Sequence, residues 1–127
     1  VTTPTLNSGC TVSYYGIDGT PVTVRNWAYK TLKLDGPGRA FNFTAGETDT
    51  VTEAFNAVGT QNQLMRLRST IGGTRWTINT TGASANLEWL DVMDSAATVT
   101  LRAFSSLDSG NNVNWRFPQS GTMIKIR

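Results

Sequence analysis

The chain of 127 residues has no histidine and a single cysteine, Cys10. Without histidine, a Ser-His-Asp triad, a Cys-His nucleophile pair and a His-ligated zinc site are excluded. One cysteine cannot form a disulfide within the chain, so stability has to come from packing, strand ladders or neighbouring subunits. A small buried thiol is the ordinary fate of such a residue. Charge is sparse as well: 16% of residues are charged, and eleven basic against nine acidic side chains leave a net charge of +2. No specific nucleic-acid partner is expected from so even a balance. No window of about 18 apolar residues exists, so no segment reads as a membrane-spanning helix. Residues 1–9 lack the basic start and apolar middle of a signal peptide. Val1 stands where an initiator Met is expected, which predicts that an initiator or a leader has been removed.

Threonine, in contrast, is abundant, with 20 residues, and its branched side chain favours strands over helices. Stretches rich in Ala, Glu, Lys and Leu are absent. Residues 39–117 read as short β-type segments at 41–44, 50–58, 63–69, 74–79, 85–94, 98–105 and 113–117, separated by Gly, Asn, Asp and Ser. Within them Met65 and Leu67 alternate with Arg66 and Arg68, Trp76 and Ile78 with Arg75 and Thr77, and Val99 and Leu101 with Thr100 and Arg102. A period of two gives each strand one buried and one wet face. The fold class is therefore all-β, in one domain large enough for a single core.

Three regions differ in texture. Residues 1–34 form an N-terminal arm or cap, with strand candidates at 11–17, 22–27 and 29–34, the first inside a polar, turn-rich stretch over 1–19. Asp35-Gly36-Pro37-Gly38 suits a tight turn. Residues 35–117 form the main module, and 118–127 a C-terminal strand or cap, with a strand candidate over 120–127. Turn signals recur about every ten to fifteen residues, a spacing that fits a sandwich, a barrel or a solenoid equally well.

Only carboxylates and basic residues remain for chemistry. Asp91, Asp94 and Asp108 can approach one another at the end of a stack, where paired carboxylates would suit glycoside hydrolysis or, with backbone carbonyls, calcium. Asp94-Ser95 and Asp108-Ser109-Gly110 are also turn sequences in which Asp caps its own backbone amides, and this structural role is the one expected. Arg66, Arg68 and Arg75 form the local basic excess; Arg66 and Arg68 share a strand face and make a candidate anion or glycan contact, set against an ordinary solvated face. Among the aromatics, Trp76 has the phase of a core residue. Tyr14 and Tyr15 occupy adjacent positions in a strand candidate, so one of them must face outward, and the pair is the candidate partner contact.

The stretch Phe41-Asn42-Phe43-Thr44-Ala45-Gly46 is followed by Gly59-Thr60, Leu67-Arg68-Ser69-Thr70, Gly73-Thr74-Arg75-Trp76, Leu90-Asp91-Val92-Met93-Asp94-Ser95 and Asp108-Ser109-Gly110-Asn111-Asn112-Val113-Asn114-Trp115-Arg116-Phe117. Together these resemble a recurrent module of right-handed parallel β-helix proteins, found in bacterial secreted and surface proteins and in phage virion proteins. The resemblance implies a short β-solenoid, with a β-sandwich as the alternative. It implies a core of Phe43, Phe55, Met65, Leu67, Trp76, Ile78, Leu87, Leu90, Val92, Val99, Leu101 and Phe104, with Trp115 closing the last coil. About three coils fit this length, and they offer little groove for catalysis.

The expected function is that of a non-enzymatic structural or assembly protein without cofactor or metal, most simply a phage capsid-decoration or tail-associated component located in the virion. Its partners would be copies of itself or other virion or surface proteins. The alternative is a glycan-binding or adhesive domain of a bacterial secreted protein, extracellular or at the cell surface.

Overall fold

The computed structural model describes residues 5–15 and 20–119. Among the described residues there are twelve strands: β1 (Thr11–Tyr15), β2 (Val22–Val24), β3 (Ala28–Asp35), β4 (Ala40–Phe43), β5 (Thr48–Val58), β6 (Met65–Ser69), β7 (Trp76–Asn79), β8 (Ser84–Glu88), β9 (Leu90–Val92), β10 (Ser95–Arg102), β11 (Leu107–Asp108) and β12 (Val113–Arg116). The strand candidate at 120–127 and the end of that at 11–17 lie outside the described residues.

The strands form two sheets. One runs β1-β3-β5-β7-β10-β12, with β8 pairing the second half of β5; the other runs β11-β9-β6-β4-β2. Every pairing between named strands is parallel. An antiparallel sandwich would instead join sequence neighbours by hairpins. Up to β6 the chain visits the two sheets in alternation, and each strand lies beside an earlier one of the same sheet. This all-β arrangement of parallel sheets is consistent with a solenoid.

Parallel register turns the alternation of each strand into ladders through the interior. In the second sheet Val22, Phe41, Leu67 and Val92 lie opposite one another in succession. In the first, Val12 faces Leu32 and Leu32 faces Phe55, while Tyr14, Leu34, Ala57 and Leu87 form a second row. The first three strands thus share the two sheets of the rest, with β1 at one end of its ladder, and Val24, Tyr29, Leu32 and Leu34 join the core.

The expected core residues Phe43, Phe55, Met65, Leu67, Trp76, Ile78, Leu87, Leu90, Val92 and Leu101 are buried. Val99 and Phe104 are not, at 37% and 43% exposure. The ladder between β10 and β12 is irregular between Ala96 and Leu101, and β10 pairs with β7 only over Ser95–Ala97. Among the described residues Val99 has no ladder partner, Phe104 bridges Glu88 one position after the buried Ala103, and both side chains line an open groove with Ala85 and Leu101.

Several corners between the sheets use left-handed backbone. Gly46 and Gly73 supply it at two of them, but Trp89, Asp94 and Ser105 adopt it with φ of 57°, 58° and 53°. Non-glycine residues hold such conformations only where their surroundings fix them. For Trp89 these are the Phe104 carbonyl, 3.0 Å from its N–H, and the Met65 N–H, 3.1 Å from its carbonyl. Gly59 is needed for space, since a Cβ there would meet the Trp89 carbonyl at 2.4 Å.

Candidate functional site

Of the three carboxylates named from the sequence, Asp91 and Asp94 hold neighbouring layers together and Asp108 caps its own turn. Asp94 accepts from the Gly73 N–H at 3.0 Å and from Asn111 Nδ2 at 2.8 Å, while its own N–H donates to the Gly110 carbonyl at 3.1 Å. The Asn111 amide first, and then the Gly73 N–H, hold its carboxyl below the usual range. Asp108 Oδ1 accepts from the Gly110 N–H at 2.9 Å and from Asn112 Nδ2 at 2.7 Å. Asp91 accepts from the Ser109 hydroxyl and pairs with Arg68 Nη2 at 3.2 Å.

The rest of this ending makes similar ties between layers. Asn112 Oδ1 accepts from the Ser95 N–H at 3.0 Å, Asn114 Nδ2 donates to the Ala97 carbonyl at 2.9 Å, and Trp115 Nε1 donates to Ser95 Oγ at 2.9 Å. Asn and Asp side chains are suited to this because they bond backbone groups at turns while tolerating left-handed φ. Among the described residues no group of three or more Cys, Asp or Glu is arranged to hold a metal ion.

The arginines separate. Arg68 spends its second amino group on the Asp91 carbonyl at 2.7 Å as well as pairing with the carboxylate. Arg75 Nε donates to the Asn111 carbonyl at 3.0 Å. Arg66 is exposed on β6, directly opposite Asp91 in β9. A free basic stripe is therefore not assembled, since two of the three guanidinium groups bind their own chain.

Tyr14 and Tyr15 also part company. Tyr14 is partly buried, and its hydroxyl lies 2.6 Å from that of Tyr29, which donates to the Arg25 carbonyl at 2.7 Å. The Arg25 N–H in turn donates to Tyr14 at 3.2 Å. Tyr15 faces outward, 63% exposed, and is the member of the pair available to a partner.

Two surface features were not evident from the sequence. The first is the far end of the stack, where β11 and β12 are the outermost described strands and carry Leu107 and Val113, 51% and 39% exposed. The second is a groove of about 300 Å³ on the first sheet, lined by Lys33, Leu34, Asp35, Asn56, Ala57, Val58 and Asn86. No protein-family model, curated protein or solved structure matches the chain.

Proposed function

We propose that the chain is a non-enzymatic structural protein that works by assembly, folded as a short right-handed parallel β-helix whose ends are its contact surfaces. The observation that carries this reading is the end formed by β11 and β12. There, strands with no further strand beside them among the described residues present exposed Leu107 and Val113. An unpaired edge bearing apolar side chains is a template for another chain, through main-chain hydrogen bonds and side-chain burial together.

The engagement of Asp91 and Asp94 in ties between layers, and of Asp108 in capping its own turn, supports a structural use of the carboxylates. The resemblance to the β-helix module of phage virion proteins supports a decoration or tail-associated component, present in many copies. Replacing Leu107 and Val113 together by Lys tests the reading. A folded variant that no longer assembles is expected. A folded variant that assembles as the parent does would overturn it.

A further inference from the structure

The long side of the first sheet carries a feature that the ends do not explain. Parallel register places Ser13, Lys33, Asn56 and Asn86 opposite one another in succession across β1, β3, β5 and β8, and sets Tyr15 opposite Asp35. Leu34, Ala57 and Leu87, one position further along their strands, are buried, so the row from Lys33 to Asn86 points outward by alternation. Neighbouring strands are about 4.8 Å apart, which brings an ammonium group, a carboxylate and two amides to one patch, with a flat exposed ring beside it.

These polar groups are idle. Among the described residues the side chains of Lys33, Asp35, Asn56 and Asn86 make no hydrogen bond or ion pair. Elsewhere in this chain the same residue types serve as clips: Asn26 binds Asp49, Asn79 binds Thr81 and Thr98, and Asn111, Asn112 and Asn114 bind neighbouring layers. The groove that Lys33, Asp35, Asn56 and Asn86 line is also the one that Val58, 39% exposed, lines with an apolar wall.

We infer that this groove binds one or two rings of a neutral saccharide, with Tyr15 as the stacking platform and Lys33, Asp35, Asn56 and Asn86 as hydroxyl partners. The charges decide the ligand class. One cation and one anion cancel, which disfavours a phosphate, a sulfate or an ammonium ligand. Amides both donate and accept, the lysine donates and the aspartate accepts, so the set satisfies adjacent hydroxyls that do both. The open apolar face of Tyr15 suits the C–H face of a sugar ring, and its hydroxyl remains in water. A volume of about 300 Å³ is at the small end of ligand cavities, which limits the bound part to a ring or two of a longer glycan. The groove lies on the side of the stack, so occupation there is compatible with assembly through the ends.

The test is a titration of the isotopically labelled intact chain with soluble oligosaccharides of glucose, galactose, mannose and N-acetylglucosamine, followed by NMR. At least one sugar should shift the side-chain amide signals of Asn56 and Asn86 saturably, with Kd of order millimolar or tighter. Tyr15→Ala and Asn56→Ala should each weaken that binding by about tenfold, whereas Tyr15→Phe should retain most of it and Arg66→Ala should leave it unchanged. All three positions are away from the core, and circular dichroism verifies that each variant is folded. The inference is overturned if no sugar shifts these signals at about 20 mM, or if a folded Tyr15→Ala variant binds as the parent does.

Discussion

Phe43 of the second sheet and Trp76 of the first lie face to face, with ring centroids 3.8 Å apart and planes 9° from parallel. Trp115 meets the edge of Trp76 at 6.4 Å, and Phe117 stacks on Trp115 at 6.2 Å. This run of four rings ties the two sheets together near the end of the stack. Phe43→Ala is expected to destabilise the fold by about 3 to 5 kcal/mol, as truncation of a buried aromatic does. Among the described residues Trp76 Nε1 is buried without a partner, a feature worth about 1 to 3 kcal/mol against the folded state. Trp76→Phe should therefore cost clearly less than Trp76→Ala. Urea unfolding of the three variants measures both comparisons.

The phase of the strands is open to a simpler check. Leu67 lies between Phe41 and Val92 in its ladder and is fully buried, so Leu67→Ala should cost about 2 to 5 kcal/mol. Thr77 faces the other way on β7, and Thr77→Ala should change stability by no more than about 0.5 kcal/mol. Equal losses at the two positions would show the alternation to be wrong.

Asp49 predicts an unusual pH dependence. It is 2% exposed, sits opposite Ile78 on β5, and accepts from Asn26 Nδ2 at 2.7 Å. Burial pushes its carboxyl up to about 7; the Asn26 amide opposes this, and the charge of Glu47 adds to it. Because the folded value lies above the ordinary 3.8, the folded state holds the proton more tightly. This contribution to stability is complete below about pH 4 and is lost as pH rises through about 7, by up to about 4 kcal/mol. Asp49→Asn should raise the Tm at pH 8 and flatten the decline in stability between pH 5 and 8. A parent protein whose Tm is constant across that range would contradict the assignment.

Asp94 has the opposite sign in a different window. Its carboxyl is held below the usual range by Asn111 and Gly73, so the stability it confers is present above about pH 4 and is lost as pH falls through the lowered value. Asp94→Ala removes an acceptor for two donors and puts a residue less tolerant of left-handed backbone at a φ of 58°. A loss of about 2 to 3 kcal/mol at pH 7 is expected, and Asp94→Asn, which tolerates that backbone better, should recover part of it. Thermal denaturation of the two variants at pH 7 measures both effects.

Tyr14 offers a local test of how the first strand is bound. Tyr14→Phe deprives the Arg25 N–H of its acceptor and Tyr29 of its hydroxyl neighbour, which should cost about 1 kcal/mol. Tyr15→Ser, at an exposed position, should cost almost nothing. Differential scanning calorimetry distinguishes the two, and equal losses would contradict the division of roles between these tyrosines.

Strands whose two faces differ were legible in the sequence, because Met65-Arg66-Leu67-Arg68 and Trp76-Thr77-Ile78 display their burial pattern directly. The direction of pairing was not, since alternation looks the same in parallel and antiparallel strands. Val99 and Phe104 escape the core for different reasons: among the described residues Val99 of β10 has no ladder partner, and Phe104 follows the buried Ala103 and so faces outward beside Glu88. Left-handed corners at Trp89 and Ser105 carry no glycine to mark them. The groove was invisible for a geometric reason: Lys33, Asn56 and Asn86 are far apart in the chain and meet only through the register of three strands. Arg68 likewise finds its partner Asp91 at a separation of 23 residues, so its availability could not be judged from the strand face alone.

Assembly through the ends of the stack is tested most directly by the mass of the purified chain, measured by multi-angle light scattering over a wide range of concentration. The account predicts a mass that rises with concentration to a multiple of one chain, and that falls to one chain when Leu107 and Val113 are both replaced by Lys. A mass of one chain at every concentration, up to about 1 mM, would contradict it.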